Sequence, residues 1–155
     1  MVDRQVTPKS DGPLDGVDMA MLRLLRVEGR LGVTELARRV QLSQPAVSAR
    51  LQRLERSGVI TGYTADIDRR RLGLAIHAVA RLRTTQAQVA PALELFAGLP
   101  EVVRIYRLTG EDCFLLDLHA VDAERLEAVV DSIARFGPVT TSLVLREYPA
   151  GPGHV

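Results

Sequence analysis

The chain has 155 residues, 46% of them apolar and 25% charged, which excludes a disordered tail and allows one average domain or two small ones. The longest nearly uncharged stretch, Leu72 to Ala80, is far short of the ~20 residues of a membrane span. Met1 to Pro13 lacks the apolar core of a signal peptide, and the single cysteine, Cys113, excludes an intrachain disulfide, so a cytoplasmic protein is expected.

Residues 1–13 mix Pro, Gly, Ser, Asp and Lys without periodicity and are expected to form a flexible arm. Asp15 offers an N-cap, after which Val17, Met21, Leu22, Leu24 and Leu25 recur at helical spacing up to Gly29. Thr34 is expected to cap a short second helix, Glu35 to Val40, with Leu36 and Val40 inward and Arg38 and Arg39 outward. Ser43 is a strong N-cap for a third helix that runs to Ser57, with Pro45 in its first turn and Val47, Leu51 and Leu54 as its apolar stripe. From Val59 to Asp68 the period falls to two, which predicts a two-stranded wing. Arg69 to Gly73 reads as a hinge.

The remaining order is strand, helix, strand, strand, helix, strand. Ile76 to Arg83 alternate as a first strand; Thr85 and Gln88 suggest a capping box for a helix bearing Val89, Leu93 and Phe96. Glu101–Leu108 and Cys113–Val121 are two strands joined by a hairpin loop, Thr109 to Asp112. Asp122 caps a helix bearing Leu126, Val129, Val130 and Ile133, and Val139–Tyr148 supplies the last strand before a Gly/Pro-rich tail, 149–155. The expected fold is α+β: an N-terminal winged helix-turn-helix over 14–68, a hinge over 69–73, and a ferredoxin-like βαββαβ domain over 74–148 with both helices on one sheet face. The uncovered face, bearing several apolar side chains, predicts a subunit interface.

Charge is unevenly spread. From Asp15 to Gly73 eleven arginines meet seven acidic residues, and from Leu74 to Val155 seven meet ten, although the formal net charge is only +1. A helix-turn-helix lays its last helix in a major groove. At about 100° per residue, the face opposite Val47, Leu51 and Leu54 holds Pro45, Ala49, Gln52 and Arg56, flanked by Ser48 and Arg53. Gln52 matches the adenine edge and Arg53 the guanine edge, while Ser43, Gln44 and Arg38 suit phosphates. The plainer alternative is that Arg50, Arg53 and Arg56 are solvated and pair with Glu55. No P-loop, nucleophile elbow or H-E-x-x-H pattern is present, and His77, His119 and His154 stand at no metal-ligand spacing with Cys113. A non-enzyme with no cofactor and no metal is expected.

These residues also form a pattern. Leu14-Asp15-x-x-Asp18, Gly29-Arg30, Glu35-Leu36-Ala37, Leu42-Ser43-x-x-x-Val47-x-x-Arg50-Leu51-x-x-Leu54-Glu55-x-x-Gly58-Val59-Ile60-x-Gly62-Tyr63, Leu72-Gly73, Pro100-Glu101-Val102, Thr109-Gly110 and Val139-Thr140-x-Ser142-x-Val144-Leu145 together resemble the Lrp/AsnC (feast/famine) transcriptional regulators. The resemblance spans nearly all of 14–147. It implies a sequence-specific regulator of double-stranded DNA, with a second domain that senses an amino acid or related metabolite and dimerises through its sheet, the dimers assembling to tetramers or octamers. Many members carry Gly-Asp-Tyr-Asp-Tyr-Leu-Leu between the second and third strands, where this chain has Gly110-Glu111-Asp112-Cys113-Phe114-Leu115-Leu116.

The resemblance places the effector at this loop. Thr109, Gly110, Glu111, Asp112 and Cys113 form one side of the expected site, and Thr140, Thr141 and Ser142 supply hydroxyls. Backbone N–H groups at Gly110 would take a carboxylate and Glu111 or Asp112 an ammonium. An ordinary hairpin turn with two solvated acids is the alternative. Two other functions stay open: an architectural protein that wraps DNA, and a metabolite-binding interaction module.

Overall fold

The computed structural model describes residues 12–148; the expected tail and nearly all of the expected arm lie outside that range. The described chain forms two compact units, one ending at Asp66 and the other beginning at Ile67.

In the first unit, α1 (Gly16–Val27) starts with a reciprocal cap: the Asp15 carboxylate accepts the N–H groups of Val17 and Asp18, and Asp18 accepts the Asp15 N–H at 3.0 Å. Helix α2 (Val33–Val40) begins earlier than its sequence suggests. Gly32 rather than Thr34 is the N-cap, with its carbonyl accepting the Leu36 N–H at 2.9 Å. The helix stops because Gln41 turns left-handed, φ 56°, which points the next residues into α3 (Gln44–Arg56). Ser43 caps α3 through the Ala46 N–H, with Pro45 in the first turn where no N–H is needed. Met21, Leu36, Ala37, Val47 and Leu54 are buried together, ringed by half-buried side chains that include Val17, Leu51 and Ile60.

The expected wing does not pair as strands: no strand is assigned from Val59 to Asp68. A lone two-stranded ribbon is marginal without a third strand or an apolar face to cover. This segment offers only Ile60 to the helical core and the Tyr63 hydroxyl to Glu55, at 2.9 Å.

The second unit contains β1 (Ile76–Leu82), α4 (Val89–Gly98), β2 (Val102–Arg107), β3 (Phe114–Ala120), α5 (Ala123–Ala134) and β4 (Val139–Leu143). The strands form one antiparallel sheet in the order β2-β3-β1-β4, the ferredoxin-like arrangement. Period-two alternation sends Ala78, Ala80, Leu82, Phe114, Leu116 and Leu118 to one face, where they bury against Phe96, Val129 and Ile133 of the helices. Phe96 and Phe114 meet edge to face, centroids 5.4 Å apart. Asp122 caps α5 as expected, through the Arg125 N–H.

Three details differ from the sequence reading. Thr85 makes no side-chain cap; it precedes a 3₁₀ turn, Gln86–Gln88, and α4 starts only at Val89. The last strand ends at Leu143 instead of Tyr148, the Val144 N–H still reaching the His77 carbonyl at 2.9 Å. The face away from the helices is more polar than expected: the register aligns Val79, Leu115 and Tyr106 with His77, Arg81, Arg104, Asp117, His119, Thr140 and Ser142.

Candidate functional site

Burying Val47 and Leu54 fixes how α3 is rotated. Pro45, Ala49, Gln52 and Arg56 are therefore exposed along its outer face, with Gln44 exposed and Ser48 half-buried at the margin. Arg56 takes no ion-pair partner among the described residues. Arg38 projects from α2 with its side chain 72% exposed and is held by Glu35 through two bonds, 2.7 and 2.9 Å. Hydrogen bonds from Arg38 and then Arg39 hold Glu35 down at about 2, so it is ionised at any physiological pH.

Arg53 is placed differently from the base reader that the helical wheel suggests. Its Nη2 lies 2.5 Å from Oδ2 of Asp18, while Arg50 Nη1 bonds Asp18 Oδ1 at 2.8 Å and Asp15 Oδ2 at 2.7 Å. Arg50 pairs with Asp15 and Asp18 instead of Glu55, which accepts from the Tyr63 hydroxyl. Asp18 is fully buried. Burial works against its charge, but bonds from Arg53, the Asp15 N–H and Arg50 outweigh it and hold Asp18 at about 2. One carboxylate thus caps α1 and ties it to two successive turns of α3. Sequence reasoning missed this role, although the spacing Asp15-x-x-Asp18 signals a capping box with the acid at the third helical position.

At the other candidate site, the β2–β3 hairpin and the start of β4 come to the same end of the sheet, because Phe114 and Val139 both pair with Leu82. Gly110 turns the hairpin at φ 101°. Thr140 pairs with Arg81 on the face away from the helices and Ser142 lies two residues further along that face, whereas Thr141 points to the helix side. Both acids of the loop are already matched: Glu111 with Arg83, and Asp112 with Arg81 at 3.6 Å. The Cys113 thiol donates to the Thr84 carbonyl at 3.1 Å and its own carbonyl accepts from Arg107 at 2.6 Å. Arg81 and Arg83 are the members that the sequence reading omitted; their alternation was visible, but the cross-strand register that brings them to the loop was not.

No described helix is long and apolar enough to cross a membrane. Residues 14–55 match the AsnC-type helix-turn-helix domain and residues 77–153 the Lrp/AsnC ligand binding domain. The HTH-type transcriptional regulator LrpA of Mycobacterium tuberculosis is 32% identical over 147 residues, covering 92% of this chain and 97% of that protein. The structure of LrpC from Bacillus subtilis superposes with a TM-score of 0.84 at 27% identity, covering 89% of this chain and 99% of the other. A transcriptional regulator from Neisseria meningitidis in complex with L-Met gives 0.78 at 31% identity, covering 89% and 94%. The capped helix-turn-helix, the βαββαβ sheet and these likenesses across both units agree: the chain belongs to the Lrp/AsnC family of helix-turn-helix transcriptional regulators.

Proposed function

We propose that the chain is a cytoplasmic, non-enzymatic regulator that reads specific DNA with the outer face of α3, and whose response is set by an amino acid or related small metabolite. The observation that carries the reading is the division of labour on α3. Arg50 and Arg53 are committed to Asp15 and Asp18, while Ala49, Gln52 and Arg56 face outward. In this assignment Gln52 and Arg56 reach base edges, Ala49 and Ser48 let the groove approach closely, and Ser43, Gln44 and Arg38 hold phosphates. Arg53 acts by fixing the helix. Gln52→Ala is expected to weaken specific binding by about 1 to 3 kcal/mol and to leave binding to random DNA nearly unchanged. Competition assays with both DNAs decide it: equal loss on the two would reduce Gln52 to a backbone contact.

The effector reading rests on the hairpin end of the sheet. Exposed ion pairs such as Arg83 with Glu111 contribute little to stability, so a zwitterion can split one at small cost, its carboxylate taking the arginine and its ammonium the acid. Thr109, Gly110, Asp112 and Cys113 belong to the same hairpin and Thr140 lies opposite Arg81, while Ser142 is two residues further along that face and Thr141 is on the opposite side of β4. Two chains meeting through their sheet faces, and dimers meeting near the hairpins, would bring the effector between subunits. A ligand shifts assembly only by its different affinity for the two states. Gly110→Asp leaves room for the new side chain, since a Cβ there meets nothing within 4 Å; it acts through backbone strain and an added charge. Titration calorimetry and sedimentation with amino acids should show binding and altered assembly for the wild type and weakened binding for this variant. Equal binding by both would move the effector elsewhere.

A further inference from the structure

On the sheet face away from the helices, the two inner strands unite side chains that lie forty residues apart in the chain. His77 and His119 are directly opposed. Their backbone groups bond outward, the His119 N–H to the Glu101 carbonyl and the His77 carbonyl from the Val144 N–H, each at 2.9 Å. They are thus a non-hydrogen-bonded cross-strand pair, the kind whose side chains come closest. The rings stack with centroids 4.2 Å apart and planes 14° apart. Asp117 shares the face, its Oδ1 lying 2.8 Å from His77 Nε2 and 3.6 Å from His119 Nε2. Behind His77, Nδ1 is 3.2 Å from Glu147 Oε1.

We propose that His77, His119 and Asp117 bind a divalent transition-metal ion of the zinc class, with Glu147 orienting His77 from the outer side. One ligand atom from each of the three residues lies within 4.8 Å of the other two. Zinc bonds of about 2.0 to 2.2 Å in tetrahedral geometry set neighbouring donors roughly 3.4 Å apart, close to the 2.8 and 3.6 Å from Asp117 Oδ1 to the two Nε2 atoms, and binding would turn the stacked imidazoles so that both nitrogens converge on the ion. A neutral imidazole has a single N–H. His77 nevertheless faces a carboxylate from each ring nitrogen, and a metal at Nε2 with the proton kept on Nδ1 for Glu147 satisfies both. That outer histidine–carboxylate bond is the usual companion of a metal-ligating imidazole. Two neutral imidazoles with Asp117 and Glu147 carry two negative charges, which a divalent ion cancels. The mixed nitrogen and oxygen donors favour zinc, cobalt or nickel over calcium or magnesium. Arg104, opposite Asp117, and Arg69, acting electrostatically on His119, compete for this charge, so the imidazoles supply most of the affinity. Three protein ligands leave a fourth position, which a water, or a donor from a second chain packed on this face, would fill.

The test uses the tag-free full chain, stripped with a chelator. Zn²⁺ calorimetry should give one ion per chain, Co²⁺ should give the visible absorption of a four-coordinate ion, and Zn²⁺ should raise the melting temperature. His77→Ala, His119→Ala and Asp117→Asn should each lose stoichiometric binding. Glu147→Gln should lose about 10- to 100-fold in affinity, and His154→Ala should bind as the wild type. If the ligand variants fail to fold, imidazole ¹⁵N shifts of the wild type still decide: Zn²⁺ should shift Nε2 of both His77 and His119. No stoichiometric binding by the wild type, binding retained in folded His77→Ala and His119→Ala, or unshifted imidazoles would overturn the site.

Discussion

Asp18→Ala is expected to remove a large share of the first unit's stability and to weaken its DNA binding, although Asp18 itself is fully buried. The substitution removes half of the α1 cap and leaves Arg50 and Arg53 without their shared buried counter-charge. Breaking a buried ion pair from one side costs about 3 to 5 kcal/mol, and since both arginines keep some solvent contact the lower figure applies. A helical unit of this size has only about 3 to 8 kcal/mol to lose. Circular dichroism should show a large fall in the melting temperature of the helical signal, and mobility-shift assays should show loss of specific and random binding together, unlike the selective loss from Gln52→Ala. The acid limb gives an independent check. Asp18 is held at about 2 against an ordinary value of 3.8, so its contribution is present above about pH 4 and lost as the pH falls toward 2. This is worth about 2 kcal/mol. Asp18→Ala should lose that component of the acid dependence; a variant with wild-type melting and wild-type DNA binding would show that the arginine hub is ornamental.

Gly137→Ala should be nearly as damaging to the second unit. Gly137 sits at φ 142°, and a Cβ there would stand 2.1 Å from the Arg83 carbonyl oxygen and 3.3 Å from its carbon. The obstacle is backbone, and it cannot swing aside. The Arg83 N–H donates to the Pro138 carbonyl at 3.0 Å, and the Thr84 hydroxyl to the Phe136 carbonyl at 2.7 Å, so residues 136–138 clamp the end of β1. Left-handed strain and forced separation together cost about 3 to 5 kcal/mol. Gly110, which also has positive φ but open space around its Cβ position, should cost only about 1 kcal/mol when changed to Ala. Thermal unfolding of both variants measures the contrast, and since Arg83 carries the pair to Glu111, Gly137→Ala should also blunt any effector response. Equal stability of the two variants would contradict the clamp.

The fold was legible where local signals and global packing agreed. Ser43, Pro45 and the stripe of Val47, Leu51 and Leu54 placed α3 and its outer face from spacing alone, and strict alternation placed β1 and β3. The expected wing failed because period-two alternation over Val59 to Asp68 carries no information about whether a partner strand exists. The cap at Thr34 failed because Gly32 could adopt the extended cap conformation first. The sites were less legible, since they depend on pairs distant in sequence. Asp18 with Arg50 and Arg53, Arg83 with Glu111, and His77 with Asp117 and His119 are set by helix packing and strand register, which one-dimensional periodicity does not encode.

Footprinting on DNA fragments enriched by the protein from a random pool, with and without the amino acid that binds most tightly, tests the central claim most directly. Discrete protected half-sites about 34 to 36 Å apart or a multiple of that, altered in extent or affinity by the amino acid, are the expected result. Long phased tracts of protection that ignore sequence and amino acid alike would contradict it and favour a protein that wraps DNA without reading it.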